Sequence, residues 1–225
     1  MRGVRLEGII LKRRNLGEAD RILTVFTLQK GKILCLAKGV RRITSRRGGN
    51  VELLNRSLMY LHPARSFLIL TEALVLDTYQ KLKEDLILST YAFHIIELVD
   101  KLTAENQESR VLYEDLVYVL QRLSRNPRQI FVRAFEAKIL SSQGFANFGE
   151  TGLVSFVSRS KSEKIDKKVS GVKKILKDLV TMSWDEIEKL EINKKQALEL
   201  ERLLQYHVER VIEGRLKSRQ ILRKL

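Results

Sequence analysis

Residues 38–50 read KGVRRITSRRGGN, and this stretch carries five basic side chains, no acidic ones and two consecutive glycines. Three apolar runs with strand-like patterns come before it in the chain, and two more come after it. A basic loop between short strands adds little to a hydrophobic core. It suits a phosphate backbone, because lysine and arginine displace the counterions condensed on nucleic acid. We interpret the stretch as the centre of a polyanion-binding surface; the alternative is a solvated charged loop.

The five apolar runs predict five short β-strands. They are rich in apolar and β-branched residues, turn-forming residues separate them, and Gly31 favours a tight hairpin between the second run and the third. The runs occupy residues 6–12, 21–28, 33–37, 51–62 and 67–73. Five strands with one long loop are typical of a small closed β-barrel, and an OB-fold and an SH3-like barrel both fit this pattern.

After the fifth run, the hydrophobic period changes to that of α-helices. We predict one helix over residues 84–101, a second around residues 112–123 and a third that stops at Gly144. For the third helix, Asn126 is the predicted N-cap and Pro127 the predicted first helical residue.

Residues 145–171 show no clear period and contain many lysines, so we expect an irregular basic segment there. Helical order is expected again over residues 172–182. Two further helices should begin with capping boxes, in which the cap and the third helical residue bond each other reciprocally. These boxes pair Ser183 with Glu186 and Asn193 with Gln196.

The charge of the chain is strongly positive and unevenly distributed. Among 225 residues there are 42 Lys plus Arg and 27 Asp plus Glu, for a net charge of +15. Residues 1–77 hold 15 basic and 6 acidic side chains, residues 78–150 hold 9 and 10, and residues 151–225 hold 18 and 11. An imbalance of this size indicates a polyanion partner, most simply a nucleic acid. The partner should meet both ends of the chain and largely avoid its middle.

Membrane insertion, disulfide bonding and catalysis find little support in the sequence. No apolar run approaches the roughly 18 residues that cross a bilayer. The first residues lack a signal-peptide pattern and Cys35 is the single cysteine, so we expect a cytoplasmic protein with that thiol buried. No common enzyme motif is present, and the histidines follow no metal-ligand spacing. We therefore predict a protein that is not an enzyme and binds no metal or cofactor.

Three short pieces near the start of the chain carry a family resemblance. Within residues 8–42, the pieces GEADR, GK and AKGVRR are similar, in order and spacing, to signature pieces of RecO, the bacterial recombination mediator family. Residues 214–225, GRLKSRQILRKL, resemble the last helix of that family. The resemblance implies an α+β chain with an N-terminal OB-fold domain, residues 1–80, and a helical domain, residues 81–225.

The resemblance also implies a function in DNA repair and recombination. Members of the family bind single- and double-stranded DNA, anneal complementary strands and cooperate with RecR. They engage the acidic tail of single-stranded DNA-binding protein (SSB) and help to load RecA onto coated strands during gap repair. Many relatives carry a four-cysteine zinc module where residues 145–171 lie here, and this sequence has no cysteine there. Zinc should therefore be absent, and the basic segment in its place indicates contact with DNA or with the acidic tail.

The predicted DNA-binding side chains are the cations of the barrel, which should track the phosphate backbone with weak sequence preference and strong salt dependence. Arg21 could instead pair with Glu18 or Asp20 inside the fold. The set is Lys12, Arg13, Arg14, Arg21, Lys30, Lys32, Lys38, Arg41, Arg42, Arg46 and Arg47. The alternative is an RNA-binding or ribosome-associated basic OB module, because a basic barrel does not by itself distinguish RNA from DNA.

A second predicted site would bind the acidic SSB tail on the third helix. Such a peptide needs a groove with cations at its rim and apolar side chains inside. The candidates are Arg128, Phe131, Arg133, Phe135 and Lys138. The alternative is that both phenylalanines belong to the hydrophobic core.

Overall fold

The chain begins with a closed five-stranded barrel and continues as a helical domain. The structure, a computed structural model, describes residues 3–65, 67–146, 163–214 and 216–218. The barrel strands are hydrogen-bonded in the order β1-β2-β3-β5-β4, and β4 pairs with β1 to close the ring. They are β1 (Val4–Leu16), β2 (Asp20–Thr27), β3 (Gly31–Ala37), β4 (Arg56–Ala64) and β5 (Phe67–Asp77). All five predicted strands are present, although the fourth begins at Arg56 rather than at residue 51 and the fifth extends to Asp77.

The strand order distinguishes between the two barrels that the sequence allowed. Strands β3 and β5 run parallel, through the pairs Cys35 with Leu68 and Leu36 with Ile69, whereas the other pairings are antiparallel. A five-stranded Greek-key barrel closed in this way is an OB-fold. The predicted α+β class, with an OB-fold followed by helices, is confirmed.

Strand β1 is longer than predicted and bends at an irregularity between Ile10 and Lys12. Its first part, from Val4 to Ile9, pairs with β4. Its second part, from Lys12 to Leu16, pairs with β2. A bulge of this kind changes the direction of a strand and increases its twist. The second part of β1 therefore carries its side chains to the end of the barrel where β2 begins.

Seven helices follow the barrel in the described part of the chain. They are α1 (Gln80–Glu84), α2 (Leu86–Leu102), α3 (Arg110–Arg125), α4 (Gln129–Ser142), α5 (Glu163–Thr181), α6 (Trp184–Lys189) and α7 (Lys194–Val211). Their buried leucine, isoleucine, valine and phenylalanine side chains form one large core. None of the described helices has both the length and the apolar character needed to cross a bilayer.

Most of the predicted helix ends are confirmed, but the start of α4 is not. Both capping boxes are formed, and α4 ends before Gly144 as predicted. The predicted cap of α4 is wrong, because the helix begins after Arg128 and has no side-chain cap. The Asn126 amide instead donates to Glu188 Oε1 at 3.1 Å. The Asn126 side chain therefore bonds Glu188, which is distant in sequence, instead of capping the first turn of α4.

The segment expected to be irregular is helical in its last part. Helix α5 begins at Glu163, so the prediction for residues 145–171 is wrong from that point onward. The sequence keeps apolar residues at helical spacing through Ile165, Val169 and Val172, a period that the many lysines obscure. Residues 147–162 lie outside the described part of the chain, as do residues 219–225 of the predicted last helix.

The barrel and the helices share one interface. Ile9, Phe26 and Leu54 of the barrel belong to the same buried cluster as the helices. At the β2–β3 hairpin, Lys32 Nζ donates to the Asp100 carbonyl at 2.5 Å, at the end of α2. The Lys32 carbonyl in turn accepts from the backbone N–H of Asn106 at 2.8 Å. The strands therefore have a fixed position relative to the helices.

Replacing Gly31 with alanine is expected to lower the free energy of unfolding by about 2 to 3 kcal/mol. Gly31 has φ +63°, and an added Cβ would lie 1.9 Å from the Gln107 carbonyl oxygen, so the hairpin would have to leave the helices. Gly17→Ala is the matched control, since Gly17 has φ +55° but nothing within 4 Å of its Cβ position. Denaturant unfolding of both variants measures the difference; equal losses would mean that the close approach is unimportant.

Candidate nucleic-acid interface

On the outer face of β1, β2 and β3, each of two cations on β1 shares a row with a leucine on β3. Arg14 of β1 pairs with Ile22 of β2, and Ile22 pairs with Leu36 of β3. In the neighbouring row, Lys12 is opposite Thr24, which is opposite Leu34. Residues directly opposite each other on paired strands point to the same face of a sheet. The register therefore places both cations on the same face as Leu34, which is exposed, and Leu36, which is partly buried.

An apolar groove lies on this face. It encloses about 330 Å³, and the exposed fraction is 43% for Leu16, 44% for Leu34 and 48% for Phe67. The Arg14 side chain lines the groove together with these residues, Ile22 and Leu36. An apolar wall beside a cation suits an unstacked base whose phosphate lies at the charged rim. The outer face of strands 2 and 3 is also where OB-folds bind oligonucleotides.

Cys35 also lines the groove, and its thiol is unreactive. It is buried, as predicted, and burial raises the pKa of its thiol to about 12. The thiolate is the reactive form of cysteine, and it is scarce at neutral pH in such an environment.

The β3–β4 loop, residues 38–55, is held against the turn that joins β1 to β2. The backbone N–H of Gly39 donates to Asp20 Oδ1 at 2.7 Å. Arg41 contacts the same turn twice, since its backbone N–H donates to the Ala19 carbonyl and its Nη1 to the Gly17 carbonyl, both at 2.9 Å. Because Leu16 pairs with Asp20 at this turn, the basic loop lies at the end of the apolar groove.

Arg47 bonds backbone carbonyl groups of the loop and of β5, so a structural role stands beside its predicted role as a phosphate ligand. Its guanidinium donates to the carbonyls of Lys38 at 2.8 Å, Leu70 at 2.8 Å and Thr71 at 3.2 Å. These bonds tie Arg47 to the start of the loop at Lys38 and to β5, and they use three of the five N–H donors of the guanidinium. Arg47 is a positioning residue for the other loop cations.

Lys32, another predicted DNA ligand, makes structural contacts between the barrel and the helices. Its side chain is buried between the β2–β3 hairpin and the end of α2. Burial lowers the pKa of its ammonium group, and the neighbouring carboxylates of Asp100 and Glu105 oppose that shift. The carbonyl groups at the end of a helix attract a cation, which explains the contact with Asp100. A nucleic acid on the outer face of the barrel would not reach this group.

Arg13 and Arg21 share one carboxylate, which compensates part of their charge. Both guanidiniums bond Glu52, and Arg21 also donates from Nε to Asn15 Oδ1 at 3.4 Å. The considered partners of Arg21, Glu18 and Asp20, are not the ones that the structure shows. These two arginines are half-buried and hold the segment before β4 against β1 and β2.

Seven of the predicted cations are exposed, and none of the seven forms an ion pair with a carboxylate in the part of the chain that the structure describes. One of them, Lys30, lies at the β2–β3 turn, at the far end of the strands. The other six gather around the groove and the loop. We define the barrel basic surface as Lys12, Arg14, Lys38, Arg41, Arg42 and Arg46.

The predicted site on the third helix is not assembled as expected. Phe131 and Phe135 are fully buried in the core, so they cannot line an open groove. Arg133 is also buried, with Nη1 2.7 Å from Glu136 Oε2. Lys138 donates to the carbonyls of Val180 and Met182 at 3.1 and 3.0 Å, and Arg128 to those of Glu188 and Leu190. The phenylalanine-lined groove is therefore a wrong prediction, and the alternative, core phenylalanines, is correct.

A different hollow lies beside the same arginines. It encloses about 280 Å³ and is lined by Arg128, Gln129, Ile130, Arg133, Ile192 and Ala197. The apolar lining comes from α4, from the start of α7 and from the segment before α7. Ile192 and Ala197 were not predicted as site residues, because nothing local in the sequence places them beside α4.

The apolar groove residues of the barrel were also missed. In β3 the run ILCLA is apolar at every position, so periodicity could not tell which leucines face outward. Leu16 follows two arginines and an asparagine, which resembles a turn.

Among the described residues, no cluster of three or more His, Cys, Asp and Glu side chains could hold a metal ion.

Comparison with protein families identifies the chain. The family model described as "Recombination protein O N terminal" matches residues 1–79, and the model described as "Recombination protein O C terminal" matches residues 83–147. The chain belongs to the RecO family. The family is one of DNA repair proteins, and its two matched segments correspond to the barrel and to helices α2–α4.

Individual relatives agree with the family models. The chain is 38% identical over 149 residues to the DNA repair protein RecO of Acetivibrio thermocellus, an alignment that covers 65% of this chain and 59% of that protein. It is 27% identical over 245 residues to RecO of Desulforamulus reducens, covering 100% of this chain and 96% of the relative. With RecO of Pelotomaculum thermopropionicum the identity is 32% over 145 residues, covering 64% and 57%. The stronger similarity is thus confined to part of each chain.

Proposed function

We propose that this RecO-family chain is a DNA-binding mediator of recombinational gap repair. It binds single- and double-stranded DNA, anneals complementary strands and, with RecR, helps to load RecA onto strands coated with SSB. It does this without enzymatic catalysis. The observation that carries the proposal is the combination, on one face of an OB-fold, of the barrel basic surface with an exposed apolar groove.

The geometry supports binding of phosphates by the cations and of bases by the apolar groove. Lys12 and Arg14 would hold the backbone of a single strand while its bases contact Leu34 and Phe67, a mode that tolerates any sequence. The loop cations add sites for a second strand. Two strands held on cations repel each other less, so pairing proceeds on the free energy of base pairing alone and needs no nucleotide hydrolysis.

Replacing Phe67 with alanine is expected to weaken single-strand binding about tenfold, because stacking of one base on an aromatic ring contributes about 1 to 3 kcal/mol. The dependence of affinity on salt should stay the same, since no charge is removed. Tyr118→Ala is the matched control, because Tyr118 is equally exposed but lies on α3. Anisotropy titrations of a labelled single strand compare the two. If Phe67→Ala binds the single strand as tightly as the wild type, the groove does not bind bases.

The hollow beside Arg128 and Arg133 supports the proposed contact with the SSB tail. Apolar Ile130 and Ile192 line it beside Arg128, which suits an acidic peptide with apolar end residues, whereas the Arg133 guanidinium is already paired with Glu136. This placement replaces the phenylalanine-lined groove. RecR remains a proposed partner on the strength of the family alone.

The test is annealing of complementary strands that are already coated with SSB, with and without this chain. We expect acceleration with intact SSB and a smaller effect with SSB that lacks its acidic tail. An equal-length RNA competitor tests the rival function, an RNA-binding or ribosome-associated module. The proposal is wrong if the chain fails to accelerate annealing, or if RNA displaces DNA at a lower concentration than DNA displaces itself.

A further inference from the structure

Ile43 is fully exposed at the tip of the β3–β4 loop. It follows Arg42 in a turn closed by a hydrogen bond from the Ser45 N–H to the Arg42 carbonyl at 2.9 Å. Its exposed fraction is 105%, whereas the next most exposed large apolar side chain of the described residues, Val111, has 67%. The side chain has no packing role in the fold.

Turn chemistry does not explain an isoleucine at this position. The corner residues of a turn are usually Gly, Pro, Asn, Asp or Ser, each of which favours the required backbone or bonds it locally. A β-branched apolar side chain offers neither advantage, and its exposure to water is unfavourable. Ile43 and Thr44 occupy both corner positions of this turn. The side chain gains stability only when something covers it.

Hydrogen bonds on both sides of Ile43 hold the tip of the loop in place. On one side, Arg41 is bonded to the Gly17 and Ala19 carbonyls of the β1–β2 turn. On the other side, Arg47 is bonded to β5 through the Leu70 and Thr71 carbonyls. A side chain presented in this way does not need to be ordered at the moment of binding, which favours insertion into a partner.

The charge around Ile43 identifies the partner as a nucleic acid. Arg41 and Arg42 come directly before it in the chain, Arg46 follows three positions later, and all three side chains are exposed. An acidic or apolar protein surface would bury several of these charges, whereas a duplex offers phosphates on both sides of an apolar base step. Proteins that bend DNA insert Ile, Leu, Phe or Met between bases in this arrangement.

We propose that Ile43 is an apolar wedge that inserts between stacked base pairs of duplex DNA while Arg41, Arg42 and Arg46 hold the flanking phosphates. The inference rests on the proposed DNA binding of this surface and adds a mode of action at the duplex. The wedge opens one base step and kinks the helix there. It would give the chain a preference for flexible or mispaired steps, where unstacking costs least.

The experiment uses a duplex with the fluorescent base 2-aminopurine at a flexible step, whose emission rises on unstacking. The full chain should raise the emission, Ile43→Ala should abolish the rise, and Ile43→Leu should keep it. Duplex affinity of Ile43→Ala should fall about tenfold at an unchanged salt slope, because only an apolar contact is lost. Val111→Ala, an exposed apolar residue on α3, should match the wild type.

Two outcomes would separate failure of the wedge from failure of the proposed function. If the chain binds the duplex with a steep salt dependence but leaves 2-aminopurine stacked, or if Ile43→Ala unstacks it equally, the wedge is wrong and DNA binding stands. If the wild-type chain fails to bind DNA at all, both proposals fall. If Ile43→Ala loses binding to a protein partner but still distorts the duplex, the tip contacts a protein and the wedge is wrong.

Discussion

Reversing Arg41, Arg42 and Arg46 to glutamate is expected to weaken binding to single- and double-stranded DNA on the order of a hundredfold at physiological salt. Each lost phosphate contact returns condensed counterions to the DNA, so for three contacts the slope of log K against log salt should flatten by about 2.7 on duplex DNA and about 2.1 on a single strand. All three side chains are exposed, and their replacement leaves the described ion pairs of the barrel and the backbone bond from Arg41 to the Ala19 carbonyl intact; it removes one side-chain bond, from Arg41 Nη1 to the Gly17 carbonyl. Arg47 is left unchanged, because its loss would disorder the loop rather than report on contact with DNA.

The control for this variant reverses three exposed cations of the helical domain, Lys81, Lys101 and Arg125. It changes the net charge by the same amount but leaves the barrel basic surface intact. Anisotropy titrations between roughly 50 and 200 mM salt give the affinity and the slope for both variants. If the control loses as much affinity as the loop variant, net charge alone attracts DNA and the loop has no special role.

The largest effect on stability is expected from Glu136→Ala, which should lower the free energy of unfolding by about 3 to 5 kcal/mol. The Glu136 carboxylate is fully buried and contacts His94 Nε2 at 2.6 Å and Arg133 Nη1 at 2.7 Å. Without it, the guanidinium of Arg133 stays buried with only a distant carboxylate, Glu201, at 3.6 Å. A buried charge that has lost its partner is far costlier than a pair removed as a whole.

Two further variants test this explanation by denaturant unfolding. Arg133→Leu combined with Glu136→Leu removes both charges and should recover most of the lost stability. Glu114→Ala breaks the exposed pair with Arg110 and should cost less than about 0.5 kcal/mol. A double variant as unstable as Glu136→Ala would show that the carboxylate acts through packing or through His94 rather than through the arginine.

The strands and most helix ends could be predicted because they depend on local patterns, whereas the type of barrel depends on the non-local pairing of β3 with β5. Strand runs, the hairpin at Gly31 and the capping boxes at Ser183 and Asn193 each involve residues within four positions of one another. The cap of α4 was mispredicted for the opposite reason. Asn126 suits a cap in isolation, but a carboxylate 62 positions away, Glu188, takes its amide in the folded chain.

The candidate site was predictable in composition but not in detail. A basic surface on the barrel follows from the charge of the first 77 residues. Which cations reach solvent does not, because Lys32 and Arg47 look like Lys30 and Arg46 in the sequence. Their different roles come from carbonyl groups of distant segments, Asp100 and Leu70. The apolar groove depends on the register of β1, β2 and β3, which no single strand reveals.

The core shared by barrel and helices limits how this protein can be dissected. A fragment that stopped at the end of β5 would leave Ile9, Phe26 and Leu54 without their cover and would expose them to water. Such a fragment would tend to aggregate and to bind other surfaces nonspecifically. Assays on an excised OB-fold would then report misfolding rather than recognition, so point substitutions in the intact chain are the sound way to map its contacts.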